Sequence, residues 1–311
     1  MKTVEDARLT KEIILSPDFR TYSMADRYRQ LQARTKHDFS AAIRLLEYLP
    51  VFIDGDHHMR IRKAMAKQVS RTQKCQFSTS VEQLDQLIAS KLLPGTEMDL
   101  VDDFAQPLWR AISGSIVPRN PAMLQLVDDV PALFSPILSI AKRIELCDRI
   151  EAFLNLQGED EEDELILLCL ATLGTRPFAG TLSLSLYEII GSNTGKRFCE
   201  ITWPEAFPVS SLRFVDRICL RPVSMVGHNF EAGERVRCFT QRSHYTVEEN
   251  SSALFGFGSH TCLGKSISER VWKLVVAKLS QSTIKADCLG LTISPHNDPF
   301  YMAQEACIRL N

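Results

Sequence analysis

The run at 165–191, LILLCLATLGTRPFAGTLSLSLYEIIG, sets the strongest limit on what this chain can fold into. It reads as a helix that is apolar nearly all round. Such a helix cannot lie on a surface with one face in water, so the rest of the fold has to wrap it. Pro177 lies inside the run and predicts a kink. The preceding GEDEEDE (158–164) reads as a solvated acidic segment, and its carboxylates also suit the positive end of a helix. A chain of 311 residues, 45% hydrophobic and 24% charged, has enough apolar surface to bury the run.

The flanking sequence fits that role. Residues 1–48 carry apolar residues at helical spacing and predict short helices. Residues 55–71 predict a basic helix, and 81–93 and 100–116 two more. The stretch 118–155 is interrupted by Pro118, Pro121, Pro131 and Pro136, so its helices are expected to be short. From 212 the texture changes to strands joined by tight turns. A helix follows over 266–281, then a terminal β element from 284. The expectation is one domain, 1–311, mainly α with minor β (α+β).

The net charge of −2 gives no bulk attraction to nucleic acid. No apolar run reaches membrane-spanning length and the first residues are charged, so neither a membrane anchor nor a signal peptide is expected, and the location expected is cytoplasmic. The cysteines, nine in number and with no C-x-x-C pair, argue against a zinc site or a disulfide framework. Most read as small core residues. Cys262 differs, because LFGFGSHTCLGKSIS (254–268) frames it with glycines ahead of a helix. Gly258 permits a turn that a Cβ would resist, and the helix start aims N–H groups at the sulfur.

Phe255-x-x-Gly258-x-x-x-Cys262-x-Gly264 resembles the heme-binding signature of the cytochrome P-450 family. The resemblance implies heme b (iron protoporphyrin IX) with Cys262 as the iron ligand, Phe255 shielding the porphyrin, and Gly264 letting the backbone pass close to it. DGDHHMRIRKAMAK (54–67), read alone a basic surface helix, resembles the family's D-x-x-x-H-x-x-x-R helix, with His58 and Arg62 on one face. TLSLSLYEI (181–189) resembles the second half of the family's central helix. RFVDRICLRPVSMVGHNFEAGERV (213–236) resembles its strand segment. By this resemblance His58, Arg62, Arg217 and His260 hold heme propionates.

Three departures from the family pattern bear on function. The chain is short, which implies a shortened fold with a reduced roof over the distal pocket. The Glu-x-x-Arg pair is missing from WPEAFPVSS (203–211), and only 240–253 links the last strand to the cysteine loop. A subunit partner could supply the lost brace, so a homodimer is an expectation. Third, the family's A-G-x-[DE]-T falls on Leu173-Gly174-Thr175-Arg176-Pro177, which puts Arg176 and Pro177 where an acid and an alcohol relay protons. A second register puts Thr175 on the family threonine. The Arg-Pro pair resembles the fatty-acid peroxygenase branch, where the arginine holds a substrate carboxylate; Arg176 could equally pair with an acidic side chain.

The function expected is a heme-thiolate oxidoreductase, a monooxygenase or peroxygenase. It would oxidise a small organic molecule, such as a carboxylic acid, with Arg176 and Thr175 as candidate catalytic residues. The oxidant would be peroxide, or dioxygen with a ferredoxin-type redox partner. The alternatives are a non-catalytic relative that activates or scaffolds a partner enzyme, and a heme-based gas sensor.

Overall fold

The apolar run forms the centre of the computed structural model, as the long helix Glu161–Ser192. The structure describes residues 1–113, 121–156, 161–209, 212–240, 255–295 and 298–311, with side chains throughout except at 71–80, 113, 121–122 and 175. The elements in chain order are strand β1 (Lys2–Val4), helix α1 (Ala7–Leu15), strand β2 (Phe19–Thr21), and helices α2 (Met24–Thr35), α3 (Ser40–Leu46) and α4 (Gly55–Lys91). Next come β3 (Glu97–Asp99), a π-helical turn (Leu100–Ala105), α5 (Gln106–Ser113), α6 (Pro121–Asp129), α7 (Ile140–Asn155) and the central helix α8. The chain ends with β4 (Phe214–Cys219), β5 (Val223–Met225), β6 (His228–Phe230), β7 (Arg235–Phe239), α9 (Lys265–Leu279), β8 (Ala286–Ile293) and β9 (Ala303–Leu310).

Glu161, Glu162, Asp163 and Glu164 fill the first turn of α8, where carboxylates oppose the helix dipole favourably. The helix runs on through Pro177. By length and composition α8 could cross a membrane, which corrects the expectation that no run is long enough; here 65% of its most apolar window is buried. Its small residues admit close neighbours. A Cβ on Gly174 would lie 2.1 Å from the Trp109 ring, and one on Gly180 2.4 Å from Met302 Cβ.

Two regions differ from the sequence reading. Residues 55–71 and the expected helix from 81 belong to one helix, α4, which ends at Lys91, because no Gly or Pro interrupts 56–91. The proline-broken stretch still builds the 16-residue α7 after its last proline. The strands form a four-stranded sheet in the order β1-β7-β4-β2, a three-stranded sheet β3-β9-β8 and the hairpin β5-β6. β1 runs parallel to β7, while β2 and β7 flank β4 antiparallel. Apolar residues gather in two clusters, a large one around α8 and a small one under the four-stranded sheet.

Candidate functional site

The Cys262 loop is fixed by short backbone bonds. Cys262 N donates to Phe255 O at 2.7 Å, and Thr261 N to Gly258 O at 3.1 Å. Gly258 and also Gly256 take left-handed φ values of 61° and 72°, which favour glycine. Gly264 sits at the N-cap of α9. From α4, Arg62 Nη2 donates to Thr261 O at 2.6 Å and ties the loop to that helix.

The loop lines a cavity of about 860 Å³. Cys262 is exposed, and the surface it exposes faces this cavity. Burial raises the pKa of its thiol; the backbone N–H groups of Gly264 and Lys265 and the charge of Arg62 pull the other way. A sulfur facing a cavity, with N–H donors behind it, suits a thiolate whose charge a bound metal cation would compensate. Phe255 is buried and lines the cavity, as do Gly264, His260, Arg62 and Arg217.

The expected propionate ligands come together around the same loop. The His260 ring stacks on His58 with centroids 4.3 Å apart. His260 Nε2 bonds Asp54 Oδ1 at 2.8 Å. Asp54 also accepts from Thr21 N and Thr21 Oγ1, both at 2.6 Å. Burial opposes the Asp54 charge, but the bonds from His260 and Thr21 outweigh it and hold the carboxyl well below its usual range. Asp54 is the acid of the motif at 54–62, and its role as an orienting partner for His260 could have been read from that position. His58 is buried and does not line the cavity; its Nε2 has no hydrogen-bond partner among the described residues. Burial first, then the charges of His260 and Arg62, lower its pKa to about 4.

Arg217 is 6% exposed, and its guanidinium donates to Asp216 O at 3.2 Å. The Asp216 carboxylate is taken by Arg235 and Arg237. Burial lowers the pKa of Arg217, and that of Arg62. Neither arginine forms an ion pair among the described residues. A buried cation without an anion is costly, so the site fits a cofactor that brings carboxylates. The orphaned His58 Nε2 fits the same group.

The distal expectations fare differently. Gly174, Pro177 and Thr181 of α8 line the cavity, but Arg176 is exposed and does not. The notion that Arg176 faces the pocket is therefore corrected: one position before Pro177 is about 100° away around a helix. The Thr175 side chain lies outside the described residues, as does the link 240–253 beyond Thr240. Among the described residues, the stretch 118–155 adds only Phe134 and Pro136 to the cavity wall, in keeping with a reduced roof. In place of the missing Glu-x-x-Arg pair, Trp272 Nε1 of α9 donates to Pro204 O at 3.0 Å, and its ring lies 4.8 Å from that of Phe207. This contact braces α9 from within the chain.

No protein-family model matches the chain, and no curated protein matches it in sequence. Solved structures do match it in fold. P450BioI in complex with hexadec-9Z-enoic acid ligated acyl carrier protein superposes with a TM-score of 0.74 at 15% identity, over 99% of this chain and 92% of that chain. CYP109B1 from Bacillus subtilis gives 0.71 at 17% identity over the same shares. CYP109E1 from Bacillus megaterium gives 0.73 at 15%, again over 99% and 92%. The α+β architecture built around α8, with Cys262 ahead of α9, is thus a shortened form of the cytochrome P450 fold.

Proposed function

We propose that this protein is a heme-thiolate oxidoreductase acting on a small organic molecule. One observation carries the reading: Cys262 opens onto a cavity whose rim holds Arg62 and Arg217, two cations without an ion-pair partner among the described residues. Cys262 would hold the iron of heme b, Arg62 and Arg217 its propionates, with His58 and His260 beside them, and Phe255 would lie against the macrocycle. Thiolate-ligated iron porphyrin supplies O–O bond cleavage and the oxidation of a bound molecule.

The chain's own contribution on the distal side is an apolar wall with little acid–base capacity. The only carboxylate among the described lining residues is Asp216, and two arginines hold it. Thr181 Oγ1 donates to Pro177 O at 2.5 Å, so its proton is engaged. Proline has no hydroxyl to offer. Among the described side chains that α8 sends to the cavity none offers a free proton, which favours peroxide, arriving with its protons and electrons, over dioxygen delivered with a ferredoxin-type partner.

The test is an absorption spectrum of the purified protein reconstituted with heme, reduced and exposed to carbon monoxide. A thiolate-type carbonyl band is expected in wild type and in Cys238→Ala, and its loss in Cys262→Ala. Wild-type protein that takes up no heme would instead support a non-catalytic scaffold.

A further inference from the structure

Arg27 of α2 lines the cavity half-buried, and its side chain makes no hydrogen bond or ion pair among the described residues. The titratable groups acting most strongly on it are Arg143, Tyr22, Tyr28 and Arg235, with no carboxylate among them. Arg143, 3% exposed, is itself cationic. It is satisfied by neutral acceptors: Tyr28 Oη and the carbonyls of Leu133, Ser135 and Leu138. Those bonds pin the segment that carries Phe134 and Pro136, the reduced roof. Arg27 and Arg143 are thus two neighbouring guanidinium groups with no carboxylate paired to either among the described residues. Tyr22 lines the cavity beside Arg27, with the Arg235 guanidinium 4.0 Å from its ring centroid.

We infer that Arg27, with Tyr22 beside it, is the anchor for the carboxylate of an otherwise apolar substrate in this cavity. The inference rests on the reading of the cavity as a substrate site next to heme. Apolar side chains supply the surroundings for the substrate body, among them Phe52, Met65, Val69, Trp109 and Phe178. A half-buried guanidinium offers a fork that two carboxylate oxygens match, and an amide of the same shape does not. Burial and the charge of Arg143 already lower the pKa of Arg27, and an arriving anion relieves both. The arginine that the sequence offered for this role, Arg176, does not reach the wall.

The experiment measures calorimetric binding of decanoate and of decanamide to the heme-loaded protein, in wild type, Arg27→Gln, Arg27→Lys and Arg176→Gln. Wild type is expected to prefer the acid. Arg27→Gln should bind the acid roughly ten- to a hundred-fold more weakly, the loss of a charge-assisted hydrogen bond, with the amide unchanged. Arg27→Lys should fall between. Heme content, read from the absorption spectrum, should be equal in all four. Equal affinity for acid and amide in wild type overturns the inference. So does loss of the preference in Arg176→Gln, and so does loss of heme in Arg27→Gln, which would make Arg27 a propionate ligand. If the protein takes up no heme, the heme reading fails, and the same acid-to-amide ratio measured on the protein as isolated still decides the role of Arg27.

Discussion

His58 is the residue whose environment disagrees most with its ordinary chemistry. Its ring is buried against His260, near Arg62, and its pKa falls from 6.5 to about 4. The folded state therefore resists the proton that the unfolded chain accepts. The stability His58 contributes is fully present above pH 6.5 and is lost as pH falls from there toward 4. Asp54 titrates below that window, because its folded value is depressed from 3.8. In heme-free protein the urea midpoint should fall between pH 7 and pH 4, and His58→Asn should flatten that fall. An identical slope in wild type and His58→Asn would show that another group controls acid sensitivity.

The elements show what the sequence made legible and what it hid. The central helix was readable because an apolar run can only be buried, and the Cys262 loop because its glycines and cysteine have fixed spacing. β1 and β2 were not readable: each has three residues, too few for an alternating pattern, and each exists only by pairing with β7 or β4 more than 190 positions away. The side on which Arg176 lies was hidden as well, since a motif match fixes position along α8 but not which flank faces the cavity. Arg27 carries no motif, and only the three-dimensional lining brings it into view. Within α8 the glycines differ in kind. Gly174→Ala puts a methyl group into Trp109 and should cost about 1–3 kcal/mol. Gly191→Ala meets only Cys288 Sγ at 3.5 Å and should stabilise by up to about 1 kcal/mol, the helix-propensity gain. Urea denaturation of the two variants checks this, and equal effects would mean that Trp109 is free to move aside.

At the scale of the molecule, the cavity lies where the helical core and the small sheet core meet. Ile14 and Val215, packed on the sheet cluster, share its wall with Phe178 and Ile267 of the large cluster. The two unpaired arginines come from opposite sides of that seam, Arg62 from α4 and Arg217 from β4. They differ in what they do without a ligand. Arg62 ties down the cysteine loop through Thr261 O. Arg217 bonds only the carbonyl of its own neighbour among the described residues, and the charge of Asp54 offsets only part of its burial. In heme-free protein Arg217 is therefore a liability, an uncompensated buried charge. Heme reverses the sign by supplying a carboxylate, and at a hundred-fold excess over its Kd it should stabilise the fold by about 2.7 kcal/mol. Arg217→Met is then expected to leave the heme-free protein as stable as wild type or more so, while reducing the heme-induced increment. Arg62→Met should lower both, because the cysteine loop loses its tie to α4. Thermal unfolding with and without heme separates the cases. A heme-free Arg217→Met protein that is less stable than wild type, with its heme increment intact, would assign Arg217 to the scaffold rather than to the ligand.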